Sequence, residues 1–317
     1  MIKTCDAPVL TAAGLARQSQ ASLFILHVME SASTSDRHIV RHFETGVEQI
    51  ADETYENHLG KVLKETYADC LASIPHEIFI TAGFPWEEIL KWSRRLDCDL
   101  ITIGHHSSRA KEKGVIRFSG GVGSTTENVV TREQCPVMIV NQSIPQNTST
   151  FRKALVCVDF SKSCECAVCF AARFERHFGC KLILFHMIPV PPYPKYSREA
   201  YNADRRNSEK RLTALYEFYL EQTDHQYIIH PGALPHQEIL RCAEENNADI
   251  IIMGSHTKEK SGKWYTGSVV EKVSYKAKCP IIIITDPEVL QRWGGNLKTE
   301  PQESPHQDHL IHVFTGS

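Results

Sequence analysis

The chain carries an internal repeat in which each copy has the size of a whole domain. Three pairs of segments match: DLITIGHHS (99–107) with DIIIMGSHT (249–257), PWEEIL (85–90) with PHQEIL (235–240), and residues 2–28 with residues 161–187. A repeat this long indicates two copies of one domain rather than a solenoid. We expect domains at 1–143 and 151–286, followed by a mostly disordered, polar tail at 287–317.

Each half alternates short apolar runs with longer mixed segments, which predicts an α/β fold with a parallel sheet. In the second half we predict strands at 154–158, 181–187, 227–230, 249–253 and 281–285, and helices at 163–178, 198–221, 236–246 and 268–277. In the first half we predict strands at 23–28, 76–81, 100–103 and 137–140, and helices near 5–19, 37–70, 86–96 and 124–131. The first half thus has one strand fewer.

The missing strand is the one that would open the first half. In the second half that strand is ALVCVD (154–159), and the offset of the adjoining match, 161 − 2 = 159, places its counterpart just upstream of Met1. We therefore predict that the opening strand of the first domain lies outside this sequence.

The stretch from Asp249 to Val273 predicts a phosphate-binding turn. A buried strand ends at Gly254, a basic loop with Lys258, Lys260 and Lys263 follows, and Gly267-Ser268 begins a helix. The free N–H groups at a helix start, together with the helix dipole, stabilise an anion.

The spacing of this stretch resembles the nucleotide-binding motif of the universal stress protein family. That motif is Gly, two residues, Gly, nine residues, then Gly-Ser or Gly-Thr, and Thr257 replaces the middle Gly here. The resemblance covers about residues 2–286. It implies two tandem Rossmann-like domains of the adenine nucleotide alpha hydrolase type, each with a five-stranded parallel sheet of order 3-2-1-4-5. Without its opening strand, the first sheet would have a central gap with unpaired edges.

The resemblance further implies an ATP site, with or without Mg²⁺, in the second domain only. Its residues would be Val158, Asp159, Met187, Met253, Gly254, Thr257, Gly267, Ser268 and Val269. Asp159 would contact the adenine-ribose end, the Met187 backbone would line the nucleoside, and the glycine-rich part would hold the phosphates. Three alternatives stay open: Asp159 as a helix cap, Met187 as a core residue, and the glycines as turn formers. A β-branched Thr257 would cost about 1–3 kcal/mol if its φ is positive.

The first half carries an eroded version of the motif, since Ser107 stands where the second Gly is expected and the loop is six residues longer. Gly120, Gly121 and Gly123-Ser124 still suggest a helix start there. We expect no nucleotide in the first domain of this chain, or a weaker site if the opening strand exists upstream.

Composition excludes several classes of protein. A net charge of −3 argues against a general binder of nucleic acid or anionic membranes. No apolar run reaches the ~18 residues of a membrane span. Eleven cysteines, several of them in apolar settings, fit a reducing compartment better than a disulfide framework, so we predict a cytoplasmic location.

Metal and catalytic sites are not indicated. Cys164, Cys166 and Cys169 fall in one helix, where we interpret them as buried small hydrophobic residues. His306, His309 and His312 could bind a metal if helical, but we expect disorder. The sequence has no nucleophile–base motif and no Walker lysine, which favours a binding protein over an enzyme.

The resemblance implies an ATP-binding regulator of the stress response with at most slow hydrolysis, acting through an unknown protein partner. The terminal strands at 137–140 and 281–285 imply an intrachain pseudo-dimer of the two domains, and a homodimer stays open. One alternative is a nucleotide-free structural or partner-binding paralogue. A less favoured one is an adenylyl-transfer enzyme, which would need a His-x-Gly-His motif that this sequence lacks.

Overall fold

The computed structural model describes residues 6–31, 39–42, 45–104, 123–141, 151–190, 197–255, 258–260, 263–265, 268–285 and 310–316. Contacts divide the chain into two compact units, of which the first comprises Met1–Thr150 with Glu303–Ser317 and the second Phe151–Gln302. The end of the chain therefore belongs to the first unit. Within the described ranges, no helix combines the length and the apolar character that a membrane crossing requires.

The first unit starts with ten elements before the chain enters the second. These are α1 (Asp6–Ser19), β1 (Ser22–Glu30), β2 (Ile39–Arg41), β3 (Glu48–Ile50), α2 (Glu53–Leu71), β4 (His76–Gly83), α3 (Pro85–Arg95), β5 (Leu100–Gly104), α4 (Ser124–Arg132) and β6 (Val137–Val140). The predicted helix at 37–70 is wrong at residues 39–41 and 48–50, where β2 and β3 form an antiparallel hairpin. The helix begins only after Asp52, whose side chain accepts a hydrogen bond from the Tyr55 amide and so caps α2.

The second unit contains β7 (Lys153–Val158), α5 (Lys162–Phe178), β8 (Lys181–Pro189), α6 (Arg198–Leu220), β9 (His225–Gly232), α7 (Pro235–Asn246), β10 (Ile250–Gly254), β11 (Lys258–Lys260), β12 (Lys263–Tyr265), α8 (Ser268–Lys276) and β13 (Ile281–Ile284). Five of its strands form a parallel sheet in the order β13-β10-β7-β8-β9. The opening strand β7 therefore lies at the centre, as in a 3-2-1-4-5 sheet.

Local chemistry explains where the central elements of this unit begin and end. The run Ile250–Ile252 is fully buried, which suits a strand covered on both faces. Asp249, just before β10, accepts hydrogen bonds from the amides of Arg152 and Lys153 and so aligns the starts of β10 and β7. Helix α5 ends at Gly179, which adopts φ +66° as its left-handed cap.

The sheet of the first unit is completed by β14 (Leu310–Gly316), the last strand of the chain. Its order is β4-β1-β14-β5-β6, and β14 runs parallel to both β1 and β5. Without β14, the facing edges of β1 and β5 would leave buried backbone groups without partners. β14, from the C-terminal part of the chain, thus occupies the position of the opening strand that we predicted to lie upstream of Met1.

The pairing register shows that β14 takes the same position in the first unit as β7 takes in the second. Ala154 of β7 pairs with Leu182 and Ile250, whereas Ile311 of β14 pairs with Leu23 and Leu100. The repeat offsets equate these neighbours, because 182 − 23 = 159 and 250 − 100 = 150. The neighbouring strands on both sides therefore align Ile311 with Ala154.

The prediction of a mostly disordered tail is wrong for residues 310–316, while residues 286–309 lie outside the described ones. Compositional reasoning failed because it considered the tail alone. A segment that cannot form a core by itself can still gain backbone hydrogen bonds from two open strand edges.

A proline in β14 tests whether this strand holds the first sheet together. Val313 pairs with Ile25 on one side and Thr102 on the other. Val313→Pro removes the amide donor and leaves a buried acceptor unsatisfied, so we expect the first unit to lose about 1–3 kcal/mol of stability. Urea unfolding, combined with hydrogen exchange of β1 and β5 amides, measures this. Val313→Thr keeps the donor and the β-branch and serves as the control; equal stability of the two variants would contradict the role of β14.

Candidate functional site

The carboxyl ends of β7, β8 and β10 lie side by side at one edge of the second sheet. Val158 pairs with His186 across β7 and β8, and Met253 pairs with Cys157 across β10 and β7. The predicted site residues Val158, Asp159, Met187, Met253 and Gly254 therefore share one edge. In doubly wound α/β folds, ligands bind outside this edge.

Asp159 is exposed at the end of β7, and two donors hold one oxygen of its carboxylate. The Ser161 amide donates to Oδ1 at 3.0 Å, and the Cys164 thiol donates to the same oxygen at 2.9 Å. The N-cap residue of α5 is Ser161 and not Asp159, which was one of the predicted alternatives. The Ser161 Oγ accepts a hydrogen bond from the Cys164 amide at 3.3 Å. The Asp159 carboxylate is thus oriented by the start of α5 without being its N-cap residue.

Phe160 occupies an unfavourable backbone conformation beside this carboxylate, with φ +64°. A left-handed residue with a Cβ costs about 1–2 kcal/mol, which neighbouring contacts must offset. The Phe160 ring lies 4.3 Å from the His186 ring, and the Arg211 guanidinium carbon lies 4.1 Å from the Phe160 ring centroid. These contacts fix the turn that carries Asp159.

His186 is buried beneath this turn, and its Nδ1 donates to the carbonyl oxygen of Val158 at 2.9 Å. Burial lowers the pKa of His186 below its ordinary value, more than the Val158 carbonyl and the Asp159 charge raise it. The neutral imidazole therefore ties the ends of β7 and β8 together. Its counterpart in the first unit, His27, is also buried, and burial lowers the pKa of His27 to about 4.

Gly254 is required by a close approach between β10 and α5. A Cβ at this position would lie 2.2 Å from the carbonyl oxygen of Ser163 and 2.8 Å from the Cys164 nitrogen. Both atoms are backbone atoms in the first turn of α5, so no side-chain movement could make room. The first glycine of the motif thus brings the turn bearing Asp159 against the end of β10.

Met187 packs on the opposite side of the edge, near the start of α7. A Cβ at Gly232 would lie 2.9 Å from the Met187 sulfur and 2.5 Å from Cγ of Glu238. Met187 is half-buried. This placement suits either a packing residue or a backbone contact to a nucleoside.

The remaining part of the motif begins α8. Ser268 is exposed and Val269 half-buried, and because α8 connects β10 to the parallel strand β13, its first turn lies at the carboxyl edge of the sheet. Thr257 and Gly267 lie outside the described residues. The predicted basic loop is not wholly a loop, since β11 and β12 pair as an antiparallel hairpin that carries Lys258, Lys260 and Lys263.

The first unit lacks the carboxylate at the matching position. The register that equates Ile311 with Ala154 places Gly316 where Asp159 stands, five residues further along each strand. Gly104 ends β5, but residues 105–122, including Ser107, Gly120 and Gly121, lie outside the described part.

The three cysteines of α5 are buried, as predicted, but Cys164 is not merely a small hydrophobic residue. Its thiol contacts Asp159, while His186 and Arg211 pack against the ring of Phe160. The sequence analysis did not predict any of these three roles. The repeat could have pointed to His186, because it recurs as His27, whereas no local pattern marks Cys164 or Arg211.

Across the described residues, no group of three or more His, Cys, Asp or Glu side chains could hold a metal. His312 lies in β14, and His306 and His309 fall in the undescribed part.

Comparison with known proteins gives one consistent family. The model of the universal stress protein family matches residues 3–141 and 150–285. A universal stress protein of Methanocaldococcus jannaschii is 29% identical over 154 residues, which are 42% of this chain and 94% of that protein. A second from the same organism is 22% identical over 158 residues, 47% of this chain and 91% of that protein. The crystal structure of a universal stress protein from Archaeoglobus fulgidus has a TM-score of 0.60 at 24% identity, covering 88% of this chain and 93% of that chain.

Substitution of Gly254 tests the close approach at this edge. Gly254→Ala places a methyl group against the Ser163 backbone, so we expect a loss of about 1–3 kcal/mol in the free energy of unfolding. Gly60→Ala is the control, because the added Cβ would meet only Ile80 Cδ1 at 3.4 Å inside α2. That variant should gain about 0.5–1 kcal/mol. Urea denaturation measures both; an unchanged or raised stability for Gly254→Ala would disprove the contact.

Proposed function

Because the chain belongs to the universal stress protein family, with two tandem domains, we propose that its second unit binds ATP and that nucleotide occupancy regulates its activity in the stress response. The observation that carries the proposal is the Asp159 carboxylate, exposed and held by two donors, at the sheet edge where Gly254 packs against α5. A carboxylate accepts hydrogen bonds from sugar hydroxyls, and the helix start at Ser268 offers N–H groups to phosphates.

The phosphate side of the proposed site has positive charge in its sequence. Hairpin β11–β12 carries three lysines between Gly254 and Ser268, and Glu259 is its single acidic residue. Positive charge that precedes a helix start in the sequence favours a polyanionic ligand such as ATP, with or without Mg²⁺. This arrangement supports a ligand with a sugar at the Asp159 end and phosphates at the Ser268 end.

The first unit is proposed to bind no nucleotide, because Gly316 offers no carboxylate at the position of Asp159. We therefore propose one ATP per chain. The protein would act as a regulator with at most slow hydrolysis, through a partner protein, since neither half of the sequence carries a nucleophile–base motif. Pairing of the two units through their terminal strands stays a prediction from the sequence.

Removal of the Asp159 charge tests the proposal. Wild-type protein titrated with Mg-ATP in a calorimeter should bind one equivalent, and Asp159→Asn should bind ten- to hundredfold more weakly, a loss of about 1.5–3 kcal/mol. Asp224→Asn removes the same charge from an exposed residue at the opposite edge of the sheet, just before β9, and should bind as wild type does.

Absence of both binding heat and thermal stabilisation in the folded wild-type protein would refute the proposal and favour a nucleotide-free role. Two equivalents of ATP per chain would refute the assignment to the second unit alone.

A further inference from the structure

Cys164 makes a contact that simple burial does not explain. Its side chain is in the first turn of α5, is 4% exposed, and reaches out of the core to an exposed carboxylate. The sulfur lies 2.9 Å from Asp159 Oδ1 and 3.5 Å from the carbonyl oxygen of Cys157. The thiol therefore bridges the end of β7 and the start of α5.

The thiol is in the protonated form that can donate. Burial and the neighbouring Asp159 charge raise the pKa of Cys164 to about 12, so its hydrogen stays in place at neutral pH. A thiol is a weak donor to a neutral oxygen but a better one to a carboxylate, because the acceptor is charged. Asp159 Oδ1 is the stronger of the two nearby acceptors.

Two donors from different directions determine how the carboxylate is oriented. The Ser161 amide belongs to the backbone turn, whereas the Cys164 thiol comes from the helix behind it. The thiol adds to the restraint on rotation of the carboxylate about its side-chain bonds, and a pre-oriented acceptor loses less entropy when a ligand binds.

We propose that Cys164 is a positioning residue for Asp159 and that, through this contact, it sets how strongly the second unit holds the hydroxyl groups of a ribose. The inference rests on the proposed function, which gives Asp159 the sugar end of the nucleotide. A carboxylate repels phosphate and accepts from a diol, so the effect concerns ribose hydroxyls and leaves phosphate binding unchanged.

A purely structural cysteine would behave differently. Cys166, two residues along α5, is equally buried, but its position lies about 200° around the helix from that of Cys164. Truncation of either cysteine removes a similar volume from the core. Only truncation of Cys164 removes a donor from the carboxylate.

The test compares three variants with two ligands. Affinities of Cys164→Ala, Cys164→Ser and Cys166→Ala are measured for ATP and for 2′,3′-dideoxy-ATP, which lacks both ribose hydroxyls. We expect Cys164→Ala to bind ATP about five- to tenfold more weakly, as the loss of one hydrogen bond near 1 kcal/mol implies, and dideoxy-ATP unchanged. Cys164→Ser restores a donor and should return ATP affinity to within about twofold of wild type, as should Cys166→Ala.

Equal weakening for both ligands, or no rescue by serine, would show a structural role and overturn the proposal. A second readout needs no nucleotide: the S–H stretching band of Cys164, identified by its loss in Cys164→Ala, should move to higher frequency in Asp159→Asn. A band that does not move would refute the contact itself. A band that moves in a protein that binds no ATP would instead refute the proposed function and, with it, the ribose role.

Discussion

The central strand of each sheet has to supply backbone hydrogen bonds to neighbours on both sides. In the second unit β7 does this at the start of the domain sequence, and in the first unit β14 does it from the end of the chain. An edge strand could be lost with exposure of one side to water, but a missing central strand would leave two buried edges open. The whole arrangement of the first unit follows from this requirement.

The two central strands pair in the same way but differ in the side chain at one position. A strand completes a sheet through backbone hydrogen bonds, which many different sequences can supply. A binding site needs a particular side chain at a particular register position, and there Gly316 replaces Asp159. The first unit therefore keeps the sheet order of the second unit without its carboxylate, whereas in the second unit Asp159, Gly254 and the start of α5 converge.

Local signals in the sequence predicted most of the fold and part of the candidate site. In the second unit, the alternation of short apolar runs with longer mixed segments located the five sheet strands and the helices within two residues at each end. The β2–β3 hairpin was missed because its short strands lie in a segment of helical composition. The pairing of β14 with β1 and β5, and the thiol contact to Asp159, depend on partners far along the chain or on side-chain direction. Neither the strand pairing nor the thiol contact produces a periodic pattern in the sequence.

Amide hydrogen exchange on the intact protein tests the origin of the central strand most directly. If β14 completes the first sheet, the amides of Ile311–Phe314 should exchange nearly as slowly as those of Ala154–Cys157 in β7, because both segments pair with a strand on each side. Exchange of Ile311–Phe314 at the rate of an unstructured chain, while β1 and β5 remain protected, would contradict the account.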